Sequence, residues 1–164
     1  MIQFISLSSG SNGNCYYLGN EQTALLIDVG IGGRTIKKRL EDNNLSISNV
    51  QMILVTHNHI DHIKYLGSVA DRLSVPVYAP SGIHQALEVH PCTKGTMNGC
   101  KRVIKKETFV QNRGVKFVAF DVPHDAVETV GYYIDFFGEK FVFMTDLGEV
   151  PEAAMEYCRM ADHL

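Results

Sequence analysis

Between Val55 and Ile63 the chain reads V-T-H-N-H-I-D-H-I, directly after the apolar run V-Q-M-I-L. His57, His59, Asp61 and His62 therefore fall within a few consecutive positions. On an extended segment alternate side chains point to the same side, so His57 and His59 can offer imidazole nitrogens to one cation. Asp61 and His62 follow where the chain must turn, and can face a neighbouring point that suits a second cation. Two ions about 4 Å apart would share a bridging hydroxide and clamp the attacking and leaving oxygens of a hydrolysed ester. Nitrogen and carboxylate donors without thiolate favour zinc, with manganese or iron also admissible. The plain alternative is a polar surface turn, but H-x-H-x-D-H arises by chance on the order of once in a thousand chains of this composition.

One cluster cannot fill two coordination spheres, so further ligands are expected at the ends of later strands. His124 follows the apolar run K-F-V-A-F, and Asp146 closes F-V-F-M-T-D before a Leu-Gly turn. Each would be ordinary alone, and the cluster makes both candidates. His84, His90 and His163 lack such a context and read as surface or packing residues.

The elements that must hold these groups are legible in outline. I-Q-F-I-S-L, N-C-Y-Y-L-G and T-A-L-L-I-D-V-G are short β-like runs joined by Gly, Asn and Ser turns, which predicts an antiparallel meander. Ile36 and Leu40 stand four apart among charges in R-T-I-K-K-R-L-E-D-N-N, a surface helix. V-Q-M-I-L-V-T reads as a strand covered on both faces. Ile63, Leu66, Val69 and Leu73 then recur at helical spacing. The histidine cluster thus sits where a buried strand gives way to a helix, a common place for ligand chemistry in sheet-and-helix proteins. V-P-V-Y-A-P, K-F-V-A-F-D-V, V-G-Y-Y-I-D-F-F-G and K-F-V-F-M-T-D read as further strands, and S-G-I-H-Q-A-L-E-V-H and V-P-E-A-A-M-E-Y-C-R-M-A as helices.

Composition narrows the function. A chain of 164 residues with 45% apolar content reads as one ordinary domain, residues 1–164, large enough to bury a core. No apolar run is long enough to span a bilayer and the N-terminus lacks a secretory pattern, so the expected location is cytoplasmic, with no membrane partner. Four cysteines without a C-x-x-C pair show neither a zinc ribbon nor a disulfide framework. A net charge of −3 argues against a broad electrostatic coat for nucleic acid. One local exception is the segment from Lys94 to Glu107, where Lys94, Lys101, Arg102, Lys105 and Lys106 stand against a single acid. It is either a solvated strand face or a nucleic-acid contact.

T-H-N-H-I-D-H, with a strand-end His124 and a strand-end Asp146, resembles the metallo-β-lactamase superfamily. Asp28 in L-L-I-D-V-G matches the aspartate that this family places beneath its metal site. S-L-S-S-G-S-N-G-N-C-Y-Y-L-G and P-H-D-A-V-E-T-V-G-Y are similar to a narrower branch, the YycJ (WalJ or VicX) type, regarded as DNA exonucleases acting from 5′ ends. The resemblance implies an α/β chain folded as an αββα sandwich. It implies that His57, His59 and His124 hold one divalent ion, that Asp61 and His62 hold another, and that Asp146 bridges the two. Zinc or manganese is expected, with iron less so. Asp28 would orient a ligand imidazole. Ser11, Asn12 and Asn14, on the loop between the first two strands, would border the site and could contact a phosphate, although turn chemistry explains them equally well.

One departure from the family pattern matters. The family closes its second site with another histidine after a further strand, and here R-M-A-D-H-L stands where that strand should start. The expectation is a fold whose second half is incomplete, a weakened second metal position for which His163 is the first stand-in to test, and an apolar face left open along the last strands. The function expected is a dinuclear metal-dependent DNA phosphodiesterase, with Asp61 positioning the hydroxide and able to take its proton. The alternatives are hydrolysis of a small ester or thioester, redox chemistry at a di-iron site, and a metal-binding fragment without activity. Relatives with a di-iron site carry a carboxylate where His59 stands, which disfavours that reading.

Overall fold

The computed structural model describes residues 1–123, 128–145 and 150–164. His124 and Asp146 lie outside these described residues. The first sheet is built from β1 (Gln3–Ser8), β2 (Cys15–Gly19), β3 (Ala24–Ile27), β4 (Val50–Leu54), β5 (Val77–Pro80) and β6 (Lys101–Ile104), hydrogen-bonded in chain order. The three first strands form the expected antiparallel meander, and from β3 onward the pairing is parallel. Parallel neighbours need long crossovers. These contain α1 (Gly33–Asp42) between β3 and β4, α2 (Ile60–Ile63) and α3 (Leu66–Leu73) between β4 and β5, and α4 (Ser81–Val89) between β5 and β6.

The second sheet is antiparallel, in the order β10 (Glu139–Phe143), β9 (Val130–Phe136), β8 (Val115–Asp121) and β7 (Val110–Asn112). Its strands show how a period of two builds a sandwich. Phe117 and Ala119 of β8, Tyr132, Ile134 and Phe136 of β9, and Phe141 and Phe143 of β10 point into the large core shared with the first sheet. The intervening Val118, Phe120, Tyr133 and Val142 point the other way and pack with Ala154 of α5 (Glu152–Met160). Helices α1, α3 and α4 add Ile36, Leu40, Leu66, Val69, Ile83 and Leu87 to the large core. The layering is αββα, as the resemblance implies.

Three expectations change. The helical spacing from Ile63 to Leu73 belongs to two helices, because the Tyr65 amide donates to the Val29 carbonyl at 3.1 Å and a new helix starts behind it. The last strands expose less apolar surface than expected: Phe141, Val142 and Phe143 are buried and α5 covers Val142, while Phe137, after β9, is half exposed. An apolar cleft of about 440 Å³ beside Phe4, Tyr16 and Phe143 also remains open there. The cationic segment is the edge strand β6 and its flanks, with much of its charge already engaged. Lys106 Nζ lies 2.8 Å from Asp121 Oδ1 and 2.6 Å from Glu128 Oε2, and Lys101 Nζ lies 3.5 Å from Glu88 Oε1. The Arg102 guanidinium donates to the carbonyls of Gly99 and Lys101.

Candidate metal centre

Four chain segments converge at the carboxyl ends of β3 and β4. Backbone pairing continues one residue past each strand, with the Asp28 amide donating to Leu54 O at 2.9 Å and the Val55 amide to Tyr78 O at 3.1 Å. The chain then leaves the sheet. Asp28 does so at φ 62, in the left-handed region that Asp and Asn tolerate better than bulkier residues. This turn directs its carboxylate, fully buried, at the segment after β4.

Asp28 is the hub. Its Oδ1 accepts from the Thr56 amide at 2.8 Å, and its Oδ2 accepts from the Thr56 hydroxyl at 2.6 Å and from His62 Nδ1 at 2.7 Å. An ionised carboxylate only accepts, so the single hydroxyl proton of Thr56 is committed to it. Thr56 Oγ1 must then accept from His57 Nδ1–H, 2.9 Å away. Both imidazoles thereby carry their proton on Nδ1, and each presents an Nε2 lone pair. The rings of His57 and His62 lie 4.0 Å apart between centroids, and those of His57 and His59 4.6 Å apart. Ligand atoms of Asp28, His57 and His62 all lie within 4.8 Å of one another. Because both Asp28 oxygens are taken by protein donors, the imidazoles are the groups best able to hold a cation. A cluster of neutral nitrogen donors against a buried carboxylate fits a divalent ion such as zinc.

His57 and His62 form the buried wall of the site, whereas His59 and Asp61 are partly exposed at its mouth. Asp61 is fixed from the far side by the loop after β1. Asn14 Nδ2 donates to Asp61 Oδ2 at 3.1 Å, and the Asn14 amide donates to Asp61 O at 2.7 Å. The Gly30 amide donates to Asn14 O at 2.8 Å, closing the seam. Only glycine fits at position 30, since a Cβ there would stand 1.9 Å from Asp61 O and 2.5 Å from Asn14 N. Asn14 is thus a support for Asp61 as well as a lining residue. Ser11, Asn14 and Asp61 line a cleft of about 410 Å³ together with Tyr16 and Thr145. Asn12, exposed on the same loop, is not in that lining.

Two contributors went unread in the sequence. Thr56 couples Asp28 to His57, and its signal was its place directly before the first histidine. Tyr132 of β9 reaches across the sandwich and donates to Val55 O at 2.6 Å, while the Val130 amide donates to Thr56 O at 2.9 Å. Burial, and then the Asp28 charge, raise the Tyr132 phenol well above its ordinary range and keep it a donor. These bonds clamp the second sheet onto the segment that carries His57.

His84, His90 and His163 make contacts within the fold. His84 is buried and its Nε2 donates to the carbonyls of Val77 and Arg102 at 3.1 and 3.0 Å. The His90 ring accepts from the Cys92 amide. His163 pairs with Phe141 in a parallel bridge, stacks on its ring and contacts Glu139 Oε1 at 2.5 Å. It lies alongside β10 and lines the apolar cleft there together with Thr145. All four cysteines are free, and among the described residues no helix is long and apolar enough to cross a membrane.

Comparison with known proteins agrees with this fold. The chain is 35% identical over 152 residues to the exodeoxyribonuclease YycJ of Bacillus anthracis, covering 92% of this chain and 56% of that protein. It is 30% identical over 161 residues to the exodeoxyribonuclease WalJ of Streptococcus pneumoniae serotype 2, covering 98% of this chain and 60% of that protein. The chain therefore spans somewhat more than half the length of these curated relatives. Among solved structures, the metallo-β-lactamase-fold protein YhfI of Bacillus subtilis superposes with a TM-score of 0.70 at 13% identity, over 95% of this chain and 66% of that one. The model of the beta-lactamase superfamily domain matches residues 23–164. That match covers most of the chain, from β3 onward, and the chain belongs to the beta-lactamase superfamily.

Proposed function

We propose that this chain carries the metal centre of a divalent-metal-dependent hydrolase that cleaves DNA phosphodiesters, working inward from 5′ ends in the cytoplasm. The observation that carries the metal-centre reading is the buried Asp28 carboxylate, which sets the tautomer of His62 directly and of His57 through Thr56. Such orienting bonds are the usual support of metal-bound imidazoles. The DNA reading draws on the two relatives named exodeoxyribonucleases.

In this reading His57, His59, Asp61, His62, His124 and Asp146 would hold two divalent ions. Zinc or manganese suits this donor set. When bound, such ions acidify water toward neutrality and offset charge on phosphoryl oxygens. The chain's own groups do the rest. Asp28 and Thr56 hold the imidazoles, and Asn14 holds Asp61 at the mouth, where its carboxylate can orient the attacking water and take its proton. Ser11 and Asn14 border the cleft in which a phosphate would sit.

The test is degradation of 5′-labelled and 3′-labelled DNA with Mn²⁺ or Zn²⁺, beside a chromogenic thioester. Release of label from 5′ ends, abolished by Asp61→Ala, supports the proposal. Turnover of the thioester with DNA left intact would overturn the substrate assignment.

A further inference from the structure

The cations that sequence grouped on and around β6 are largely engaged, but a different set converges in space. A groove of about 580 Å³ runs between α1 and α3. Arg34 and Lys37 project from α1 and Arg72 from α3, and none of the lining residues is acidic. In a chain of net charge −3 this is a local reversal of sign. None of the three cations forms an ion pair among the described residues, whereas neighbouring Lys38 finds Asp42 at 4.0 Å. The two helices pack together at Gly33, where a Cβ would lie in ordinary contact, 3.6 Å from Val69 Cγ2 and 3.8 Å from the Arg72 guanidinium. Arg72 is thereby brought to the first turn of α1, beside Arg34 and Lys37.

At one end of the groove stands Tyr65, 38% exposed, its ring over Gly32 and the Lys64 ammonium 5.6 Å from its centroid. That end is tied to the metal centre by backbone. The Val29 amide donates to His62 O at 2.8 Å, and the Tyr65 amide donates to Val29 O at 3.1 Å. The groove therefore starts within a few residues of Asp28 on one side and of His62 on the other.

Resting on the nuclease reading of that centre, we propose that the α1–α3 groove is the track for the backbone of a single-stranded nucleic acid. Arg34, Lys37 and Arg72 neutralise successive phosphates, and Tyr65 offers a stacking face to a base next to the site. A cationic groove with an aromatic platform is the combination that holds single strands without sequence preference. An anionic membrane surface would call for apolar groups to insert, and Ile47, Val69 and Leu73 in this groove are not exposed.

Binding is read by fluorescence anisotropy with an oligothymidylate of about 12 nucleotides, in EDTA so that nothing is cleaved, across a salt series. The triple variant Arg34→Glu/Lys37→Glu/Arg72→Glu should bind at least tenfold more weakly, with the slope of log affinity against log salt smaller by about 2, three single-strand phosphates at roughly 0.7 each. The neutral triple variant with Gln at the same positions should lose the same slope, which separates lost contacts from new repulsion. Tyr65→Leu should weaken binding of the single strand more than of a blunt duplex. Lys101→Glu/Lys105→Glu should leave affinity unchanged. Unchanged affinity and slope in both triple variants would overturn the groove, as would an equal loss from the Lys101/Lys105 reversal or binding to anionic phosphatidylglycerol vesicles in place of the oligonucleotide. Loss of binding in the triple variants with no DNA cleavage by the metal-loaded protein would sink the nuclease reading and leave the groove. Cleavage with binding indifferent to the triple variants would do the reverse.

Discussion

Asp28 Oδ2 lies 2.7 Å from His62 Nδ1, with both side chains buried, across a sequence separation of 34 residues. Asp28→Asn keeps the size and the tolerance of positive φ but puts an amide where an acceptor is needed. It should weaken binding of the tightest metal by about 10- to 100-fold, read by competition with a chromogenic chelator. Asp28→Ala should also strand the Thr56 and His62 donors and cost about 3–5 kcal/mol in urea unfolding. Metal affinity in Asp28→Asn equal to that of the parent would remove Asp28 from the centre.

Asp61→Ala tests the mouth of the site. Its side chain is partly exposed, and the seam to Asn14 keeps its backbone bond when the one from Asn14 Nδ2 to the carboxylate is lost. The variant should unfold within about 1 kcal/mol of the parent while hydrolysis is lost. Undiminished turnover with metal supplied in excess would refute the role given to Asp61.

Gly30→Ala is a small change with a large expected effect. The new methyl would overlap the backbone of Asp61 and Asn14, and backbone cannot swing away as a side-chain end can. We expect a loss of about 2–4 kcal/mol together with weakened metal binding, because the seam that seats Asp61 must open. Gly10→Ala is the control. A Cβ there meets nothing within 4 Å, so only the strain of φ 106 is added.

His84 should make stability depend on pH. Its folded-state pKa is lowered from the ordinary 6.5, mainly by burial, and Nδ1 has no partner among the described residues to receive a second proton's bond. The protonated form is therefore better accommodated in the unfolded chain. The stability this neutral ring contributes is present above pH 6.5 and drains away as pH falls below that value. In His84→Gln, whose amide can still donate to Val77 O, the urea midpoint should fall less between neutral and mildly acidic pH. Parallel pH profiles for the two proteins would show that His84 is not the group responsible.

The chemistry of this chain was legible where it is local. Three histidines and an aspartate behind an apolar strand fall within six positions, and the apolar runs of β8, β9 and β10 are likewise properties of neighbouring residues, so a candidate ligand cluster and these strands could be read directly, whereas the αββα sandwich came with the resemblance. Asp28 was reached only through resemblance, because an aspartate after L-L-I has no local mark of what it will touch. Relationships across long separations needed the folded chain. Asn14 meets Asp61 over 47 positions and Tyr132 meets Val55 over 77. Arg72 joins Arg34 and Lys37 only once α3 docks over Gly33. Lys106, which in sequence looks available to an anion, is taken by Asp121 and Glu128. The reason is physical: period and propensity depend on contiguous residues, whereas hydrogen-bond satisfaction and the net field at a surface depend on which distant segments pack side by side.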